Sequence, residues 1–513
     1  MSLQTSIPLD LAAFQRIFPV PAFMVEKPDR LLEWLWHYDL TVAARDLWPY
    51  VTDTSRINDL IGYPEMTFVE REGKLFGSSL WDGVPHEWLE VPWDFSYPYA
   101  MICTREYTRG VVSYYHAIYF AEDYYAEGCR VYIYLSWSLR LERARSGFSA
   151  YFEKKEADYG RVLRQLESNL KERLPDPRLL PSATVILAED ARNRLRSIEA
   201  EYLTRLGEDW RERVQRFISY ILSADDLDLY RIKLVPLAER WQIPLRDLLK
   251  IALHGVELGL FTMSWDVICP HCRGVREELP SLASLPARGF CDICLIDFDT
   301  SGVNGLEIVF HVHPAIRLVK KRFFCSAEPA TRPHIKIQQT LKAGETRHLQ
   351  SALEAGQYRL RRKGENFMSW LEIQPDFSPH HFEWSSKARD PLAQVGAHPA
   401  LTFQNDSERP ETFVIEDIHY PLQALRPADL FNLQQFREIL PSESISPDLF
   451  LEVGEQTILF TDVVNSTGFY ASRGDGEAFS VIRAHFKDLY RIADLHDGAI
   501  IKTIGDSAMM AFA

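Results

Sequence analysis

Two short stretches near the end of the chain constrain its fold more than any other text: Thr457-Ile-Leu-Phe-Thr-Asp462 and Lys502-Thr-Ile-Gly-Asp506. Ile458-Leu-Phe460 is an apolar run of the kind that makes a buried strand, and it ends on an acid. A polar loop, 463–468, leads through Gly474-Asp475 into a segment where Ala478, Ile482, Phe486, Leu489 and Ala493 recur at helical spacing. Asp497-Gly498 stops that helix, 499–504 reads as a strand, Gly505-Asp506 as a tight turn and 507–512 as the returning strand. In such a unit Asp462, at a strand end, can approach Asp506 at a hairpin tip. Two carboxylates held close repel unless cations lie between them, and hard oxygen ligands suit Mg²⁺ or Mn²⁺. A two-metal pair can activate an attacking oxygen and hold a triphosphate. The backbone N–H groups of 465–468, at a helix start, can meet phosphate oxygens. Acids at strand ends and Gly-Asp turns are also ordinary surface features, so these residues alone leave that plainer reading open.

Taken together, Phe460-Thr-Asp-Val-Val-Asn-Ser-Thr467, a helix ending in His496-Asp-Gly498, and Lys502-Thr-Ile-Gly-Asp506 resemble the opening half of a class III nucleotidyl cyclase domain, which is ferredoxin-like in fold. The resemblance implies that Asp462 and Asp506 bind two Mg²⁺ or Mn²⁺ ions, helped by the backbone carbonyl of Val463. Asn465, Ser466, Thr467 and Gly468 would line the substrate phosphates. The residue four before the second acid contacts the purine, Lys in adenylate cyclases and Glu in guanylate cyclases. Lys502 stands there, which implies ATP, and period-two alternation puts it on the same strand face as Ile504. The implied reaction is attack of the ATP 3′-hydroxyl on the α-phosphate, giving cyclic AMP and pyrophosphate, in a head-to-tail homodimer. In the family a second purine-selecting residue and an Asn/Arg pair follow the second acid. This sequence ends at Ala513, so the polypeptide as written is expected to be a fragment of a cyclase, inactive alone.

The second strong pattern is Cys269-Pro-His-Cys272 and Cys291-Asp-Ile-Cys294. Two C-x-x-C knuckles at this separation are a zinc-ribbon signal. Four thiolates close a tetrahedron and leave no position for water, so the expected Zn²⁺ is structural. Redox dithiols or incidental cysteines are the alternative. His271 lies inside a knuckle whose shell is already full, and His311 and His313 share a strand face that is expected to be exposed.

Upstream, aromatic-rich runs at 67–70, 74–81, 87–92, 99–107, 110–121 and 130–139 precede a charged helical stretch at 147–173. Six short strands closed by one long helix resemble the START-like helix-grip fold, with an apolar cavity. Trp81, Trp88, Trp93, Tyr114, Tyr115, Tyr119, Tyr132, Tyr134 and Trp137 are candidates to line it for an apolar ligand, or simply to pack a curved sheet. The text Arg30-Leu-Leu-Glu-Trp-Leu-Trp36 reads as helical. Two apolar-faced helices and a strand at 225–266 resemble a winged helix. Seven acids against five bases in that stretch argue for protein packing over DNA. Short runs between 302 and 425 suggest an antiparallel sandwich.

The expected fold is therefore multidomain α+β: 1–175 START-like, 176–224 helical connector, 225–266 winged-helix-like, 267–301 zinc ribbon, 302–425 β-sandwich, 426–448 connector helix and 449–513 the first part of a cyclase domain. The upstream order also resembles the regulatory region of certain bacterial cyclases. A net charge of −15 argues against a nucleic-acid partner, and 513 residues suit several domains. Without an apolar run of membrane length or a leader-like start, and with too few cysteines for a disulfide scaffold, the expected compartment is the cytoplasm.

Overall fold

The computed structural model describes residues 8–71, 74–124, 128–174, 185–302, 305–322, 328–365, 367–388, 392–419, 423–441 and 455–512. The chain forms two compact units. One is built mainly of 1–181 and 322–421, the other mainly of 182–290, 297–321 and 422–513.

In the first unit, Leu31–Leu40, Gly128–Leu139, Val112–Tyr124 and Ala100–Arg109 lie side by side in that order. Val84–Glu90, Lys74–Trp81 and Met66–Arg71 continue from the last of these. The long helix Lys155–Lys171 buries Tyr159, Val162, Leu163 and Leu166 in the same core as Trp36, Trp88 and Trp137.

Leu31–Leu40 corrects the helical reading of 30–36: it is a strand, paired from Leu31 opposite Ser138 to Leu40 opposite Cys129. The text fits either period. The strand wins because Leu32, Trp36, Tyr38 and Leu40 then fall on the buried face, with His37 and Asp39 outward. The neighbouring helix Thr54–Leu60 is where its text places it, started by Asp53, whose carboxylate accepts from the Arg56 N–H.

The β-rich text after 302 divides. Leu306–Val312 pairs antiparallel with Phe261–Ile268 in the second unit. The remaining strands join the first unit. Ile335–Leu341, Glu411–Asp417, Gly356–Arg362, Met368–Gln374 and Leu392–Gly396 form one layer. Thr346–Gln350, Ala400–Gln404 and His381–Ser385 form a smaller sheet. Ile337, Leu371, Trp384, Phe403 and Phe413 share the core between them. The larger layer is not separate from the upstream sheet: Asp94–Ser96 bridges Ala100–Arg109 to Ile335–Leu341, giving one sheet of thirteen strands. Asp94 seals this seam, accepting from Thr340 N at 2.7 Å and Arg347 Nη1 at 2.6 Å.

The second unit packs the helices Glu189–Leu206, Arg211–Ser223, Leu234–Trp241 and Leu245–Leu258 against the Phe261–Ile268 sheet, with Phe217, Tyr202, Ile251 and Phe261 buried. Gln242 turns between the last two helices in the left-handed region, φ 54°. The connector expected as one helix is two, Pro427–Phe431 and Gln434–Ile439, parted at Asn432-Leu433. The rest of that connector, 442–454, lies outside the described residues. Beyond it stand the strand Thr457–Thr461, the helices Ser466–Arg473 and Asp475–Leu495, and the hairpin Gly498–Ile504 with Ser507–Phe512.

Candidate functional site

Strand register decides where the two acids of the terminal unit stand. Thr457–Thr461 pairs antiparallel with Ser507–Phe512, Thr461 lying opposite Ala508, so the sheet order is Thr457–Thr461, Ser507–Phe512, Gly498–Ile504. The central strand is thus the returning one, which sets Asp462 across from Ser507 and beside the Gly505-Asp506 tip. The Ser507 hydroxyl donates to Asp462 Oδ1 at 2.5 Å. Asp506 Oδ2 is buried and has no hydrogen-bond partner among the described residues, and neither has Thr461 Oγ1. A buried carboxylate oxygen without a donor is costly unless a cation faces it. Exposed Asp462, tied by Ser507 to the hairpin tip, and Asp506 with its unpartnered oxygen offer the carboxylate oxygens that a hard divalent ion takes.

Lys502 lies opposite Met509, which lies opposite Phe460. Cross-strand partners share a face and alternate residues repeat it, so Phe460, Asp462, Ser507, Met509, Lys502 and Ile504 all belong to one face. That face is open: Phe460 is 68% and Ile504 61% exposed, and Lys502 is exposed. The other face carries Ile500, Ala508 and Met510, packed with Ala493 and Phe486 of the long helix. A bulge between Ile500 and Lys502 changes the register, so Lys502 keeps the face of Ile504 rather than that of Ile500. Lys502 and Asp462 therefore look the same way from the two strands that flank the central one.

Asn465 takes the left-handed region, φ 55°, and starts the helix Ser466–Arg473 without a side-chain cap. Ser466, Thr467 and Gly468 thus form its first turn, where N–H groups lack helical acceptors. A Cβ on Gly468 would meet the Asn465 side-chain amide at 2.6 Å, so Gly468 lets that amide lie over the first turn of the helix.

Cys269, Cys272, Cys291 and Cys294 are all buried, and their Sγ atoms lie within 4.8 Å of one another. Zinc–thiolate bonds of about 2.3 Å imply tetrahedron edges of roughly 3.8 Å, so the cluster has the size of a metal site. Both knuckles fold alike: Arg273 N donates to Cys269 O and Leu295 N to Cys291 O, and Arg273 and Leu295 are left-handed at φ 59° and 56°. The cluster could hold a metal ion such as Zn²⁺. His311 corrects the exposed-face expectation. It is half-buried, with Nδ1 2.6 Å from Tyr230 O and Nε2 2.9 Å from Ser264 Oγ.

The first unit holds a cavity of about 90 Å³, lined among others by Tyr63, Trp81, Arg105, Tyr119, Trp137 and Tyr159. Of the aromatic candidates, Trp81, Trp93, Tyr115, Tyr119 and Trp137 line it. Tyr132 and Tyr134 belong instead to a separate cluster with Phe14, and Trp88 is buried against Phe68 and Tyr107. Tyr119 Oη and Trp137 Nε1 are buried without a hydrogen-bond partner among the described residues. Sequence reasoning missed Glu90, which accepts from Trp88 Nε1 at 2.7 Å, Trp93 Nε1 at 2.9 Å and Arg105 Nε at 3.1 Å behind the cavity wall. The Trp-x-Glu-x-x-Trp spacing was its only trace.

Comparison with known proteins adds two matches and several structural likenesses. Residues 451–513 match the family model of the adenylate and guanylate cyclase catalytic domain. Residues 201–331 match a family of unknown function, DUF5939, whose span runs through the helices, the four-cysteine segment and the strand Leu306–Val312. No curated protein matches the chain. Among solved structures, the chain is similar to the ZhuI aromatase/cyclase from Streptomyces sp. R1128, at 14% identity over 26% of this chain and 90% of that one, TM-score 0.22. It is also similar to TTHA0849 from Thermus thermophilus, at 14% identity over 28% and 99%, TM-score 0.19. At these scores the likenesses carry no argument, and the account of the first unit rests on its own strand order. The terminal segment is thus similar to a nucleotidyl cyclase catalytic domain, with two acids, a lysine and a helix start gathered at one end of its open sheet face.

Proposed function

We propose that the protein is an adenylate cyclase of class III, with 449–513 contributing the metal half of its catalytic site. The observation that carries this reading is the shared sheet face of Asp462 and Lys502, with the unpartnered Asp506 Oδ2 at the adjoining hairpin tip. Asp462, Asp506 and the Val463 carbonyl would hold two Mg²⁺ or Mn²⁺ ions. When bound, such ions lower the pKa of a coordinated hydroxyl and neutralise charge on a leaving pyrophosphate. Lys502 would donate to the adenine, and the N–H groups of Ser466, Thr467 and Gly468 would orient the triphosphate. Ser507, by donating to Asp462, holds that carboxylate at the tip. The partner in the reaction is a second copy, arranged head to tail. The four cysteines serve as a closed, structural zinc site, and the upstream residues serve as a regulatory region. We place the protein in the cytoplasm; no helix among the described residues is long and apolar enough to cross a membrane.

The test is manganese-dependent conversion of ATP to cyclic AMP by the natural full-length protein. Asp462→Ala is expected to lower turnover by at least about a hundredfold, the scale of a lost metal ligand or preorganised charge. Normal turnover by that variant would sink the reading.

A second reading, a ligand-binding sensor with an inactive cyclase remnant, is favoured by the cavity. Unpartnered Tyr119 Oη and Trp137 Nε1 in an aromatic lining suit a compact, mostly apolar molecule with an acceptor oxygen. Its volume is too small for a long acyl chain without rearrangement. Mass spectrometry of the natively purified chain tests it: a retained small, mostly apolar molecule, lost on filling the cavity by Ala117→Phe, supports the sensor, and an empty native chain counts against it.

A further inference from the structure

Among the described residues the strand that carries Lys502 is the edge of its sheet, and its outer N–H groups have no strand partner there. One of them, Ile500 N, donates to the Gln434 side chain at 3.1 Å. Gln434 opens the helix Gln434–Ile439. The end of the long helix before that strand is gripped from a second side. Asp494 receives Lys250 Nζ on Oδ2 at 2.7 Å and Arg246 Nη2 on Oδ1 at 2.9 Å, and Arg246 Nε stands 3.3 Å from Asp497 Oδ1. Arg246 and Lys250 are four residues apart on Leu245–Leu258, hence on one helix face. Their side chains are 19% and 13% exposed, so these pairs are worth more than open-surface pairs, which contribute little. Burial pushes the Asp494 carboxyl up, but the bonds from Lys250 and Arg246 outweigh it and hold it below its ordinary value.

A second, independent observation concerns the other end of this contact. His254 Nδ1, Asn432 Nδ2 and Gln435 Oε1 are buried and have no hydrogen-bond partner among the described residues. The Glu257 carboxylate stands 3.6 Å from His254 Nδ1, beyond hydrogen-bond reach. The three groups lie on Leu245–Leu258, at the joint before Gln434–Ile439, and on that helix. Permanent interfaces satisfy nearly all their buried polar groups. His254 keeps the Glu257 carboxylate as an ion-pair neighbour, so Asn432 and Gln435 are the groups left unpartnered beside Gln434, and the charge contacts on Asp494 tie Leu245–Leu258 to the catalytic half.

We propose that Leu245–Leu258 and Gln434–Ile439 form a releasable latch on the catalytic half, in which Arg246, Lys250 and Gln434 are positioning residues that fix the strand bearing Lys502. Leu245–Leu258 lies in the segment matched by the family of unknown function, and the latch gives that helix a role in holding the strand that carries Lys502. The site's identity rests on the cyclase reading; the latch itself does not.

Amide hydrogen exchange of the full chain tests it. In R246E/K250E the amides of 498–504 should exchange at least about tenfold faster, while 189–223 keep their protection. Adding D494K, which restores opposite charges in reversed order, should return them to within about threefold of wild type. Where the double reversal unfolds the unit, Lys250→Gln is read instead, with the same direction and a smaller change. Wild-type exchange at 498–504, or no recovery with D494K, overturns the latch. In the natural full-length enzyme the same variants should raise the KM for ATP several-fold with a smaller change in kcat, and D494K should reverse it. An inactive enzyme would refute the cyclase reading and leave the latch judged by exchange.

Discussion

Glu328 is a buried carboxyl that accepts from Ser55 N at 2.7 Å and Thr54 Oγ1 at 2.9 Å. Burial, with Asp53 nearby, pushes its pKa up to about 7. An acid whose folded-state pKa lies above the unfolded value binds an extra proton in the fold, so the stability it contributes is complete below the unfolded pKa and lost as pH rises toward 7. Thermal melts from pH 5 to pH 8 should therefore show the wild type losing about 2–3 kcal/mol relative to Glu328→Gln. Parallel curves would contradict that. Lys502 sets a second residue-scale expectation. If Lys502 contacts the adenine as proposed, Lys502→Glu should lower kcat/KM for ATP in the natural full-length protein by about 10–100-fold. The positions of Asp462 at a strand end, Asp506 in a Gly-Asp turn and Lys502 on the face of Ile504 were legible because these are local properties, whereas the roles proposed for them come from the resemblance. It did not disclose Ser507 as the donor to Asp462, because that pairing follows from which strand is central.

The knuckles are the element the sequence states most completely, since C-x-x-C spacing itself carries the bend that brings two thiolates together. Metal analysis should find one zinc per chain, and Cys291→Ser should lose it together with the local fold. A chain holding full native structure without zinc would contradict this. Elements decided by distant partners were less legible. The text of 30–36 reads as a helix until Gly128–Leu139 supplies a ladder for the strand Leu31–Leu40, and the connector breaks at Asn432-Leu433 although no Gly or Pro marks the place. Gly77 illustrates a packing constraint no pattern shows: a Cβ there would stand 2.2 Å from the Trp88 ring on the paired strand. Gly77→Ala should cost about 1–3 kcal/mol in denaturant unfolding by overpacking.

At the scale of the molecule, the sequence suggests a string of domains, and the structure joins two of the β regions in one sheet. The joint is Asp94–Ser96, three residues long, and Gln338 reaches Trp93 O across 245 positions of chain, so no local signal could reveal it. Asp94→Ala would leave the Thr340 N–H without its acceptor and Arg347 with Glu345 as its carboxylate, and should destabilise this unit by about 1–3 kcal/mol, the scale of an unsatisfied buried group. The central claim concerns the other unit, that Asp462, Asp506 and Lys502 together bind a metal–ATP complex. It is tested most directly by titrating Mn²⁺ and ATP into this chain and following the ion by electron paramagnetic resonance, alongside Asp462→Ala and Asp506→Ala. The account predicts Mn²⁺–ATP binding by the wild type that both variants lose by at least about tenfold, whereas equal binding by all three would contradict it.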